Sequence, residues 1–357
     1  MASSVNFGKS LYSGEVLEDL LTYTAQGNDT FKEGLIHIKS GIQFKYAIPI
    51  LQLGKIIQDN VPTPQSTHGQ GAGTRGGLNQ YTFAERYLEP QEFMVYLEFN
   101  PRDYEKYYKF AQPDGNLVFR ELDPKVQAKM LRLLMDRKSE YIGESIWCSG
   151  KGGKTVAKIT APATCTEIGG DSAGGPMKYF DGVLKRILAN TATAATEDEK
   201  ATGQVVIAGN TELTTGEQVE KAFNAMWKKC PKQIRKKAGL VFVCGWDIWD
   251  LYDQYLADKQ VKYSDNTKVN EYRFKGKRIV PIVGIPEHTI VLGEFTTGME
   301  SNLWMGVDYA NDSEVVKVER LQNNSELYFF QMRMKMDVNI ARPAEIVCWT
   351  AYKNASE

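Results

Sequence analysis

The chain has 357 residues, enough for two ordinary domains or one large one with extensions, and its 42% hydrophobic and 24% charged residues argue against wholesale disorder. A formal net charge of −1 argues against a dedicated nucleic-acid binder, and no stretch reaches the ~18 uncharged apolar residues of a membrane span. The N-terminus, MASSVNFGKSLYSG, lacks a signal-peptide apolar core, so a soluble chain that stays in the cytoplasm is expected. Five widely spaced cysteines, with no C-x-x-C pair, read as reduced and mostly buried.

Residues 1–34 are polar, with one amphipathic piece, GEVLEDLLTYTAQ, in which Val16, Leu20, Leu21 and Tyr23 cover one helix stripe; they read as an arm. Ile36 to Gln58 and Tyr81 to Phe99 are rich in β-branched and aromatic residues and read as two long strands. Between them lies DNVPTPQSTHGQGAGTRGGLNQ, whose five glycines and two prolines leave almost nothing to bury. A connection of that length in a compact domain is unusual unless it is functional or mobile. Two strands forming a projecting arm with a flexible tip fit best, and such an arm needs partners elsewhere.

The next segment, LDPKVQAKMLRLLMDRKSEYIGESIWCSG, starts a helix with Asp123 as N-cap and Pro124 as first helical residue. Val126, Met130, Leu133, Leu134, Tyr141 and Ile142 keep one broad stripe until Gly150. A helix over 124–147 would be about 36 Å long, a spine for a whole domain.

Behind it, CSGKGGKTVAKI imitates a phosphate-cradling loop through Lys154 and Thr155. Cys148 stands where that loop needs its first glycine. The order is also reversed, with a helix before and a β-branched run after, so a turn leaving a helix is the better reading. GQGAGTRGG lacks a following helix and reads as part of the mobile tip.

Residues 178–285 alternate helix and strand. FDGVLKRILAN is a short helix and QVVIAG a strand. TTGEQVEKAFNAMWKK is a helix with Thr215 and Gln218 as capping box. GLVFVCG is an apolar strand and WDIWDLYDQYLADK a helix expected to be capped by Asp247. KKCPKQIRKK is the chain's basic block: Lys228, Lys229, Lys232, Arg235, Lys236 and Lys237 form either a solvated helix end or a patch for nucleic acid or an acidic neighbour.

The closing part is β-rich. RIVPIVGIP, TIVLGEF, NLWMGVDY and EVVKVERL read as strands, and in ELYFFQMRMKMDVNI the residues Phe330, Met332, Met334, Met336 and Val338 alternate with Gln331, Arg333, Lys335 and Asp337, the period of a sheet with one wet face. The methionines read as core rather than as copper ligands. His37, His68 and His288 fall in a strand, the loop tip and a turn, so no metal-ligand spacing exists, and no catalytic or cofactor motif is present.

This order of parts, with KSEYIGESIWCSG in the spine, MKYFDGVLKRIL at the entry to the middle section and TTGMESNLWMGVDYANDSEVVKVE near the end, resembles the major capsid protein of tailed bacteriophages with the Hong Kong 97 type fold. The resemblance implies an α+β fold with an N-terminal arm (1–41), an extended β loop (42–99, tip about 60–80), a peripheral domain with its spine helix (100–177), an axial α/β domain (178–288) and a β-rich return to the peripheral domain (289–357). It also implies self-assembly through pentamers and hexamers into an icosahedral virion capsid, built in the bacterial host cytoplasm. The expected partners are further copies, a separate scaffolding protein, a portal protein and non-specifically contacted double-stranded DNA, with no membrane and no cofactor.

Expected subunit contacts are the arm's Leu20 and Leu21, the tip's Gln65, His68, Arg75 and Leu78, and the flanks Glu85 and Arg86. No lysine lies between Lys55 and Lys106, so a shell without loop-lysine crosslinks is expected. With the body beginning near residue 35, a separate scaffold or none is expected, unless the chain is already processed. Two alternatives stand beside this reading: an encapsulin-like shell around an enzyme cargo, and a P-loop-like nucleotide hydrolase using Lys154 and Thr155.

Overall fold

The computed structural model describes residues 10–12, 29–53, 81–100, 136, 138–139, 141–143, 145–153, 156–159, 179–192, 203–259, 273–308, 316–321 and 327–354. Two six-stranded sheets and two two-stranded ribbons account for its strands.

The first sheet is built on β14 (Tyr328–Ile340), long enough to hold several partners. β13 (Val316–Arg320), β12 (Leu303–Val307) and β5 (Gln91–Phe99) all pair antiparallel to it. β1 (Ser10–Tyr12) adds to β13, and β2 (His37–Lys39) adds parallel to β12. The alternation of β14 places Phe330, Met332, Met334, Met336, Val338 and Ile340 in the main core, together with Ile142, Ile146 and Trp147 of the spine segment. The described spine residues from 136 to 148 are helical; 124–135 lie outside the described residues.

The alternation fails at Asp337, which was expected on the wet face and is buried. Its reason is a charged partner on the helix packed beside it. Lys138 is buried as well, its ammonium 2.8 Å from Met332 Sδ, and burial holds its pKa well below the ordinary lysine value. The folded chain therefore binds fewer protons here than the unfolded chain. The resulting penalty is fully present below the lowered pKa and fades as pH rises toward 10.5. Lys138→Met, which keeps the length and drops the charge, is expected to raise the stability of the protein at pH 7. Urea unfolding near pH 7 and near pH 10 checks this, since the gain should shrink at the higher pH.

The second sheet runs β7 (Val206–Gly209), β15 (Val347–Trp349), β11 (Ile290–Glu294), β8 (Leu240–Cys244), β10 (Lys277–Pro281) and β9 (Arg273–Phe274). All five residues of β8 are buried because both faces are covered. Leu240, Phe242 and Cys244 share a core with the helices α3 (Gly216–Lys229) and α4 (Trp246–Asp258), where Phe223 meets Phe242 and Tyr252 edge-on at 5.1 and 5.2 Å. Val241 and Val243 belong to the main core, which continues into the first sheet.

The Thr215–Gln218 capping box is present. Asp247 does not cap α4: Gly245 holds that position, and the Asp247 carboxylate accepts the His288 N–H at 2.7 Å, tying the helix start to the 288 turn. A division at residue 288 cuts through the second sheet, because β11 and β15 from the closing segment pair beside β8 and β7.

Two strand readings are corrected. Ile36 to Gln58 holds two strands, since β2 joins the first sheet and only β3 (Tyr46–Leu53) enters the projecting ribbon. Tyr81 to Phe99 splits at Glu89 and Pro90 into β4 (Tyr81–Leu88) and β5, because proline cannot donate to a ladder. Among the cysteines, Cys230, Cys244 and Cys348 are free and buried, but Cys148 is disulfide-bonded, against the expectation of five reduced thiols.

Candidate assembly site at the base of the hairpin

β3 and β4 pair with each other from Tyr46↔Leu88 to Leu53↔Tyr81 and with no other described strand. Such a ribbon leaves both outer edges without ladder partners, and a two-stranded hairpin is marginal by itself in water. Pro49 sits within β3 without disrupting it, as an outer edge permits. The tip, residues 54–80, lies outside the described residues, as do Leu20, Leu21, Gln65, His68, Arg75 and Leu78.

The root of the hairpin is held in two ways. Ile48 and Leu88 are buried against Ile42, Trp304 and Ala341, and Tyr46 stacks on Trp304 at 6.5 Å. Gly306 lets these side chains approach closely: a Cβ there would stand 2.9 Å from Ile42 Cδ1 and 3.2 Å from Leu88 Cβ, and both would have to shift. Beside this cluster lies a polar cleft of about 430 Å³ between the hairpin exit, β14 and the helix α2 (Val183–Ala189).

Inside that cleft, side chains of the body grip the backbone of the hairpin exit. Asp337 Oδ2 accepts the Glu89 N–H at 2.9 Å, and Asn339 Nδ2 donates to the Tyr87 carbonyl at 2.8 Å. Arg186 of α2 reaches Asp337 Oδ1 at 2.7 Å, which also accepts the Val338 N–H. Arg86 donates to Asn190 Oδ1, and the Asn190 amide in turn donates to the Arg186 carbonyl at the end of α2. Burial raises the Asp337 carboxyl above the ordinary carboxylate range, outweighing Arg186 and the two backbone donors that oppose it.

Of the two expected flank contacts, Glu85 is exposed and accepts the Tyr87 hydroxyl at 2.7 Å. Arg86, the other, is only 6% exposed and bonds to Asn190 of the same chain. Asp337, Asn339, Arg186 and Asn190 were missed. Their one signal was an asparagine ending a helix and two polar residues inside the apolar end of a strand.

Beyond the root, β5 is an edge of the first sheet, and Met94, Tyr96 and Leu97 on it are 51%, 43% and 47% exposed. Tyr96 stacks on Phe329 at 5.8 Å, so this outer face is ordered and partly apolar.

Half of the basic block has internal partners. Lys229 donates to the Ile207 carbonyl at 2.9 Å, Arg235 donates to the Trp227, Lys228 and Cys230 carbonyls at the end of α3, and Lys237 pairs with Glu294 at 2.6 Å and Glu345 at 3.2 Å. Lys228, Lys232 and Lys236 are exposed.

Among the described residues no cluster of histidine, cysteine or carboxylates could hold a metal ion, and no helix is long and apolar enough to cross a membrane.

No family model and no curated protein matches the chain. Solved structures do. The procapsid of satellite phage P4 is 14% identical with a TM-score of 0.51, covering 96% of this chain and 93% of that one. The mature capsid of bacteriophage PhiM1 is 11% identical with a TM-score of 0.51, covering 90% and 86%. The capsid of cyanophage A-1(L) is 11% identical with a TM-score of 0.50, covering 98% and 95%. At such identities it is the fold that is shared, and this α+β chain has the Hong Kong 97 type fold of the tailed-phage capsid proteins.

Proposed function

We propose that the protein is a major capsid subunit that assembles through pentamers and hexamers into an icosahedral shell enclosing double-stranded DNA. The observation that carries this reading is the β3–β4 hairpin: eight-residue strands rooted by a buried clamp yet paired with nothing else described in the subunit. A structure that costs this much to root and leaves its edges open makes sense where other copies supply the missing surface. The exposed apolar edge strand β5 offers such a surface on the same subunit.

In this reading the first sheet and the spine form the peripheral domain, and the second sheet with α3 and α4 forms the axial domain, β11 and β15 included. Partners are other copies, a separate scaffolding protein, a portal protein and the packaged DNA. The site of action is the virion capsid, assembled in the bacterial cytoplasm. Its work is architectural rather than catalytic. The segment around Lys154 favours this: helical residues precede a 3-10 turn at Lys151–Gly153 and strand β6 (Val156–Lys158) follows, the reverse of a phosphate-cradling arrangement; Lys154 and Thr155 themselves lie outside the described residues.

Light scattering on the size-exclusion eluate tests the reading. Particles of many 40.2 kDa copies are expected. A single species at the monomer mass under every condition would contradict it.

A further inference from the structure

Around Trp227 the fold gathers positive charge that the sequence spreads over two segments. α3 ends at Lys229, and the turn behind it carries Lys232, Arg235 and Lys236. The tight turn between β9 and β10 brings in Lys275, with Lys275 and the following Gly276 at φ 50° and 79°. Lys275 Nζ lies 5.9 Å from the Trp227 ring centre and the Arg235 guanidinium 5.3 Å from it, so one half-buried indole sits between cations from both segments.

Internal duties account for Lys229, Arg235 and Lys237, as described above. They do not account for Lys228, Lys232, Lys236 and Lys275. All four are exposed and none forms an ion pair among the described residues. In a chain whose net charge is −1, four exposed ammonium groups without an ion pair among the described residues, three from the segment after Trp227 and one from the turn that reaches its ring, are an excess of one sign. A solvated helix end would explain the cations of the block, but not a fourth lysine delivered by a separate hairpin turn.

We propose that these exposed lysines, Lys228, Lys232 and Lys236 from the segment that follows Trp227 and Lys275 from the turn that reaches its ring, bind the phosphate backbone of duplex DNA without reading its sequence. Exposed lysines act as point charges toward phosphates and carry no base-specific geometry. The inference rests on the shell reading and gives its enclosed DNA a place of contact on the subunit.

The test uses the full chain and a labelled mixed-sequence duplex of about 30 base pairs, followed by fluorescence anisotropy from about 50 to 200 mM salt. Wild type is compared with the combined variant Lys228→Ala, Lys232→Ala, Lys236→Ala, Lys275→Ala, and with the four lysines changed to arginine. Wild type is expected to bind with a Kd of about 10⁻⁶–10⁻⁴ M at physiological salt, and the slope of log K against log salt should shrink by about 3–4 in the alanine variant and return in the arginine variant. No binding by wild type, or the same salt slope in the alanine variant, overturns the proposal. Electron micrographs of the same samples keep the two readings apart: shells with an unchanged slope remove only the DNA surface, whereas an absence of shells from wild type removes the capsid reading beneath it.

Discussion

Replacing Glu294 by alanine is expected to destabilise the subunit by about 3 kcal/mol, the low end of the range typical of breaking a buried ion pair from one side, because its partners are partly exposed. The Glu294 side chain is only 7% exposed and receives Lys237 at 2.6 Å and Arg342 at 2.7 Å. Both cations also reach Glu345, at 3.2 and 2.9 Å, so four charges from the turn after α3, the end of β11 and the segment before β15 form one closed network. Arg342 further donates to the Glu300 carbonyl, and its own N–H bonds to Asn302 Oδ1 at 3.1 Å. Without Glu294, two cations would share one carboxylate, although Lys237 and Arg342 keep 35% and 29% exposure and recover some water. Glu294→Gln keeps the shape and an acceptor oxygen but not the charge, so its loss should fall between wild type and alanine. Chemical denaturation of the three proteins checks the order, and equal midpoints for wild type and alanine would contradict it.

The second large effect is expected at the hairpin root. Asp337→Ala removes the partner of Arg186 and the acceptor of the Glu89 N–H together. The cost should be about 3 kcal/mol, the low end of the buried-pair range, because the Arg186 side chain keeps 25% exposure and can recover some water. The functional consequence should exceed the thermodynamic one. Asp337 and Asn339 hold the backbone on either side of Leu88, and that grip sets the direction in which β3 and β4 leave the body. A folded variant with a loosened root is expected to give aberrant or no shells in conditions where wild type closes.

The pH dependence carries a definite sign. The folded Asp337 pKa is raised, so stability from this group is fully present below the ordinary value of 3.8 and is lost as pH rises through the raised value. Arg186 and the backbone donors limit that loss. Wild-type stability referenced to the Asp337→Ala variant should therefore decline across that acidic window as pH rises.

Much of this molecule was legible in the sequence because its strongest signals are periodic. The alternation of Phe330, Met332, Met334, Met336 and Val338 gave the central strand of the first sheet, and Thr215 with Gln218 marked the start of α3, since both depend on local geometry. What failed depended on distant partners. Asp337 looked like one more wet-face residue until Arg186 arrived from a helix some 150 positions earlier. Arg86 looked like a surface charge because Asn190 lies 104 positions away in the chain. Strand pairing is non-local in the same way: nothing near His37 announces that it lies beside Trp304, so β2 merged with β3 in the linear reading. The basic block was legible only in part. Its composition was plain, but Lys229 and Lys237 are tied to a carbonyl and to carboxylates outside the block, and Arg235 to carbonyls at the end of α3.

The most direct measurement of the central claim is negative-stain electron microscopy of the purified full chain. The proposed role predicts hollow closed shells, or the rings of five and six and the tubes that the same contacts would build when closure fails. A field of isolated subunits at every protein concentration, with and without crowding agents, would contradict it.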